Sequence, residues 1–230
     1  MIFWPVIDQQ RTAVADLLET LTPDEWRRPS LCAQWTVREV AAHLTLQQLR
    51  PRDLLTALPV LLRARGDIDR LTHDLAAGTS DAELLRRLRA TIGSRRHNAG
   101  VTPMETLTDI LVHGQDIAIP LGRDLAVPPG AAAAAATRNW TMRWPPPFPI
   151  KKTLRRYSLS ATDTDWRAGD AAGPAVEGPM SALLLLTCGR LVALDRLSGP
   201  GAEALRAALG DAQAASTSTT DTEPPPRLGS

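Results

Sequence analysis

The sequence predicts a mainly α protein, α+β overall: an N-terminal helical bundle followed by a small α/β domain. Three observations predict it. Before residue 145, apolar residues recur at helical spacing behind recognisable caps. The run Pro145-Pro146-Pro147 then breaks any helix and reads as a stiff linker. After it, Arg156-Tyr157-Ser158-Leu159-Ser160-Ala161 alternates as a strand does. The expected organisation is a bundle over 1–145, a small α+β domain over 146–210 and a disordered tail over 211–230.

The first helix is expected from about Pro5 to Leu21, because proline suits a first helical turn where its missing N–H costs nothing. Thr22 and Glu25 stand in capping-box spacing around a short turn ending at Trp26, with Pro23 in its first position. Thr36 and Glu39 repeat that spacing, and Val37, Val40, Ala41, Leu44 and Leu46 form the stripe behind them. Pro51 and Pro59 interrupt the next segment. Ser80 opens a helix bearing Leu84, Leu85, Leu88 and Ile92. Pro103 opens another, bearing Leu107, Ile110, Leu111, Val112 and Ile117, which Pro120 and Gly122 stop. An alanine-rich helix follows from about Pro129 to Trp144. In the second domain, 163–173 is turn-rich and Ala175-Val176 reads as a second short strand. Gly178-Pro179 opens an apolar helix through Cys188, and a last helix runs from about Gly201 to Leu209. The Ser/Thr/Pro-rich tail carries no large apolar residue except Leu228.

Composition narrows the function classes. The 26 basic and 25 acidic residues leave a net charge of +1, so there is no general drive toward nucleic acid or anionic lipid. Pairs such as Arg86-Arg87 and Arg95-Arg96 read as solvated helix faces. No apolar run is long enough to span a membrane, and the start lacks the layout of a secretory signal. Cys32 and Cys188 match no metal or redox spacing, so the expectation is a cytoplasmic protein with two free thiols. Trp4, Trp140 and Trp144 are expected to fill core.

The four histidines carry the chemical signal. His73 and His97 stand among polar residues and read as surface groups. His43 and His113 lie inside apolar stripes of separate helices. Asp109, four residues before His113, shares its helical face. A carboxylate on a buried face is costly unless paired or bound to metal. Two imidazoles and a carboxylate supply three of the four ligands zinc takes, leaving one position open, as catalytic sites do. Spacing alone suits equally well an Asp109 that faces water and pairs with an arginine. Asp116, three residues past His113, is a rival ligand or a residue that orients His113 from behind. Glu105 fits the helix start better, where it favours the dipole.

The stretch Cys32-Ala33-Gln34-Trp35-Thr36-Val37-Arg38-Glu39-Val40-Ala41-Ala42-His43-Leu44 resembles the signature of the mycothiol-dependent maleylpyruvate isomerase family of actinobacteria, within the DinB-like superfamily. Asp109-Ile110-Leu111-Val112-His113-Gly114-Gln115-Asp116-Ile117-Ala118 resembles that family's second metal motif. Leu186-Thr187-Cys188-Gly189-Arg190 and Leu194-Asp195-Arg196-Leu197-Ser198-Gly199 resemble its C-terminal domain. The resemblance spans roughly residues 1–210. It implies a DinB-like four-helix bundle holding a divalent metal, usually zinc, at His43, Asp109 and His113. It also implies a sterol-carrier-like second domain that contributes Arg190 to the active site; the alternative for Arg190 is a cation placed against a helix C-terminus. The isomerase carries glutamate where this chain has Asp109, which is one methylene shorter.

By that resemblance, the cation lowers the pKa of a coordinated thiol, mycothiol, which then isomerises or is transferred to a small electrophile. Arg190 would hold a carboxylate of thiol or substrate. Two other readings stand beside it: a hydrolase using metal-bound water with Asp116 as base, and a non-catalytic small-molecule-binding or regulatory protein. The expected partners are a small substrate and a low-molecular-weight thiol, with no nucleic acid and no membrane.

Overall fold

The computed structural model describes residues 3–46, 68–96, 102–142 and 150–210. Pro51, Pro59, His97, Trp144, the Pro145–Pro147 run and the 211–230 tail lie outside them. The described residues fall into two compact units, one within Met1–Ala135 and the other within Ala136–Ser230.

In the first unit, α1 is Trp4–Glu19, with Pro5 in its first turn, and α2 is Pro23–Trp26. The Thr22 N–H donates to Glu25 Oε2 at 2.8 Å while Glu25 N–H donates to the Thr22 hydroxyl at 3.3 Å, the reciprocal capping box. Helix α3, Val37–Thr45, begins where Thr36 N–H donates to Glu39 at 2.6 Å. Two further helices are α4, Ile68–Ala77, and α5, Asp81–Arg89, the latter capped by Ser80. Helix α6, Pro103–Ala118, opens on a box in which Thr102 N–H donates to Glu105 at 2.9 Å, so Glu105 is used at the cap. Past its end, Gly122 adopts φ 65°, a left-handed turn that glycine makes without steric cost.

Helices α1, α3, α5 and α6 pack cyclically: α1 on α6, α6 on α3, α3 on α5, and α5 on α1. Their inward faces form one core including Val14, Leu18, Val40, Leu44, Leu84, Leu88, Ile110 and Ile117, with the indoles of Trp26 and Trp35. Trp4 is only half-buried and lies beneath the Arg95 guanidinium, 5.2 Å from its ring centre. Buried Arg11 donates from Nη1 to the carbonyls of Thr91 at 2.8 Å and Ser94 at 3.2 Å, tying α1 to the turn that follows α5. The close contact of α6 with α1 depends on Gly114, where a Cβ would stand 2.8 Å from Leu125 Cδ2 and 3.1 Å from Val14 Cγ2. Gly114→Ala is expected to cost about 1–3 kcal/mol by overpacking, read as a lower denaturant midpoint at unchanged slope. A neutral result would mean that the seam yields freely.

In the second unit, α7 (Pro129–Thr141, whose C-terminal part belongs here) precedes α8, Ile150–Leu154. Strands β1 (Ser158–Ala161), β2 (Arg167–Gly169) and β3 (Ala175–Gly178) form a sheet of order β2-β1-β3, with β1 antiparallel to β2 and parallel to β3. Strand β2 falls inside the stretch expected to be turn-rich. Its Arg-Ala-Gly carries no apolar alternation, and it is a strand because its backbone pairs with Ser158–Ser160. Helix α9, Met180–Thr187, is apolar nearly all round and buried accordingly. A 3₁₀ turn over Leu191–Arg196 and helical backbone at 202–210 follow. Buried Lys151 donates to the Asn139 carbonyl at 2.7 Å, and Asn139 donates to the Thr187 carbonyl at 3.0 Å. Trp140 is half-buried, and among the described residues of this unit the buried indole is Trp166.

No described helix is long and apolar enough to cross a membrane.

Candidate metal centre

Helix α3 presents His43 and helix α6 presents Asp109 and His113, the latter two on one face a turn apart. His43 Nε2 lies 3.6 Å from Asp109 Oδ2, and His113 Nε2 lies 3.3 Å from Asp109 Oδ1. The two imidazoles meet edge to face, ring centres 4.8 Å apart. One donor atom from each of the three residues lies within 4.8 Å of the others. All three side chains are largely withdrawn from solvent, Asp109 least, at 29% exposure.

These separations bear on what the site can hold. A charge-assisted hydrogen bond between nitrogen and carboxylate runs about 2.7–2.9 Å. Two ligands about 2.0–2.1 Å from a tetrahedral zinc ion stand roughly 3.3 Å apart. The gaps of 3.3 and 3.6 Å match the second geometry better than the first. The donor set is two neutral imidazole nitrogens and one carboxylate, the chemistry a zinc-class cation takes, so the residues present fit the group.

Behind His113 stands Asp116, fully buried, whose Oδ2 is 2.8 Å from His113 Nδ1. A carboxylate there accepts the Nδ1–H, which leaves Nε2 as the atom with a free lone pair, facing Asp109 and His43. The sequence left Asp116 as either ligand or orienting group; beside this set of three donors, its contact is to the His113 imidazole.

Electrostatics follow from this packing. Burial by itself would raise the Asp109 carboxyl, but His113 and then His43 hold it well below the usual carboxylate range. Burial by itself would lower the His113 imidazole, but Asp109 and Asp116 reverse this, and it is pushed up to about 9. The metal-free protein therefore draws stability from protonated His113. That contribution is complete below the ordinary value of 6.5 and is lost as pH rises through about 9. The melting temperature of chelator-treated protein should fall across that window, and the fall should be absent in His113→Gln. A profile identical in the two proteins would refute it.

Two neighbours escaped the sequence reading. Trp35, buried, has its ring centre 5.0 Å from that of His43 and 6.1 Å from that of His113. Cys32, read from sequence as an ordinary thiol, lies with His113 and Asp116 in a second group whose donor atoms are within 4.8 Å of one another. Both residues precede α3 on a loop that Ser30 organises: its hydroxyl accepts from Cys32 N–H at 3.0 Å and donates to the Trp35 carbonyl at 2.8 Å. Gln34, at φ 66°, turns the chain so that Trp35 re-enters the core. The available signal was their place in the stretch that ends at His43. Of the other histidines, half-exposed His73 pairs with Glu39 at 2.6 Å. Arg190 lies in the second unit, where its Nη1 donates to the Cys188 carbonyl at 2.8 Å.

Residues 7–118 match the family model described as the mycothiol maleylpyruvate isomerase N-terminal domain. The N-terminal unit belongs to that family. The matched span takes in His43, Asp109, His113 and Asp116, so the site described above lies wholly inside the family's domain. Neither curated proteins nor solved structures yield a match to the chain.

Proposed function

We propose that the protein is a zinc-dependent enzyme that activates a low-molecular-weight thiol, mycothiol, for isomerisation or S-transfer on a small electrophile. The observation that carries this is the convergence of His43, Asp109 and His113 at ligand-like separations within a domain of the mycothiol maleylpyruvate isomerase family. When bound, the cation supplies Lewis acidity that holds a thiol deprotonated at neutral pH, where a free thiol with a pKa near ~8.5 is mostly protonated.

The chain's own residues prepare the site. His43 and His113 offer Nε2, and Asp109 offsets part of the cation's charge. Asp116 keeps the proton of His113 on Nδ1. Trp35 packs against both imidazoles and fixes their planes, closing the core side to water. In isomerisation the thiol sulfur adds to a carbon–carbon double bond, the resulting single bond rotates, and expulsion of the sulfur restores both double bond and thiol. In transfer the carbon–sulfur bond persists. Arg190 is proposed to pair with a carboxylate of thiol or substrate, for which its planar fork is suited.

The test is elemental analysis of untreated protein followed by calorimetric titration with mycothiol. The expected result is one equivalent of zinc, and a thiol-binding heat that chelation abolishes. A preparation without metal and without thiol-dependent heat overturns the proposal, and substrate turnover without any thiol would point to hydrolysis instead.

A further inference from the structure

The imidazole of His113 has two faces, and each meets a different set of donors. Its Nε2 faces Asp109, 3.3 Å away, with His43 beyond. Its Nδ1 faces Asp116, 2.8 Å away, and donor atoms of Cys32, His113 and Asp116 all lie within 4.8 Å of one another. The second set differs in kind: it replaces an imidazole by a sulfur.

The backbone that carries that sulfur is fixed by hydrogen bonds. Cys32 N–H donates to the Ser30 hydroxyl at 3.0 Å, and the Cys32 carbonyl accepts from Trp35 N–H at 3.1 Å. The preceding residue, Leu31, donates its N–H to the backbone carbonyl of Asp116 at 3.2 Å. The loop is thereby fastened to the helix that carries the other two donors. Cys32 is half-buried and Asp116 fully so, so a cation here would meet little competition from water.

We propose that Cys32, His113 and Asp116 form a second cation site, selective for thiophilic divalent ions such as cadmium. Softness decides between the two sets. Carboxylate and imidazole suit zinc and harder ions, whereas a thiolate adds affinity for soft ones. This set fills when the first is empty: the thiol proton and the Nδ1 proton of His113 leave, Asp116 turns its oxygen to the ion, and Nε2 keeps its proton toward Asp109. The proposal does not rest on the thiol chemistry above, since neither a substrate nor a second thiol takes part.

Cadmium titration of the chelator-treated full-length protein, followed by thiolate-to-cadmium charge-transfer absorption, tests it. The wild type should develop the band with one equivalent. Cys32→Ser should lose it, Cys188→Ser should keep it, and His43→Ala should keep it because His43 belongs only to the other set. Asp116→Asn should weaken cadmium binding at least tenfold, and circular dichroism should report the wild-type helix content for every variant. No band in the wild type, a band that survives Cys32→Ser, or its loss in folded His43→Ala overturns the proposal. Zinc still bound by a protein that gives no cadmium band would sink this second site while leaving the proposed function standing.

Discussion

Replacing His113 by alanine is expected to abolish the proposed binding of a divalent cation in a protein that still folds. His113 supplies one of the two imidazole nitrogens beside Asp109 and is the residue through which Asp116 acts. Loss of an outer partner such as Asp116 typically costs 10–100-fold in metal affinity, so Asp116→Asn should fall in that range. Loss of the ligand itself should exceed it, at more than about 100-fold. Calorimetric zinc titration measures both. His73→Ala is the control, since His73 is engaged with Glu39 at 2.6 Å, and its zinc affinity should match the wild type. His113→Ala protein that retains stoichiometric zinc would remove the site from consideration.

Truncating Leu44 to alanine will cost about 2–5 kcal/mol of stability, more than the overpacking of Gly114→Ala. Leu44 is 1% exposed, sits in the core shared by the bundle helices, and follows His43 on α3. Its removal forfeits the transfer of a buried side chain and leaves a cavity that four packed helices close only in part. Against a total of about 5–15 kcal/mol, this is a large fraction. Chemical denaturation should show a lower midpoint at an unchanged slope, and a shift below about 1 kcal/mol would contradict the packing described. Zinc affinity should fall less than in His113→Ala, because the cavity perturbs the position of α3 without removing a donor.

Local signals were legible wherever the chemistry was local. The boxes at Thr22–Glu25 and Thr36–Glu39 each join residues three apart, so their spacing was enough to read them. The stripe of α6 carries its period in the sequence, and so does the shared face of Asp109 and His113. Helix α4 falls where helix was expected without bounds, and strand β2 was not anticipated. The strand exists through pairing with β1, and three residues without alternation carry no pattern to detect. Trp4 was expected in the core but is half-buried against Arg95, since an apolar residue at a helix start declares no direction. The bulky fillers of the first unit are Trp26 and Trp35.

By itself the sequence determined which residue types could bind metal, that two of them share a helical face, and where most helices of the bundle begin. It also carried the family resemblance. Only the tertiary structure decided that Asp109 lies between two imidazoles, that Asp116 backs His113, and that Cys32 and Trp35 stand against the same ring. The reason is range. Caps and helical faces are set by bonds between residues three or four apart, whereas the site depends on how α3, α6 and the Ser30–Thr36 loop pack. That packing is the sum of many weak core contacts, none of which leaves a mark at the positions it brings together.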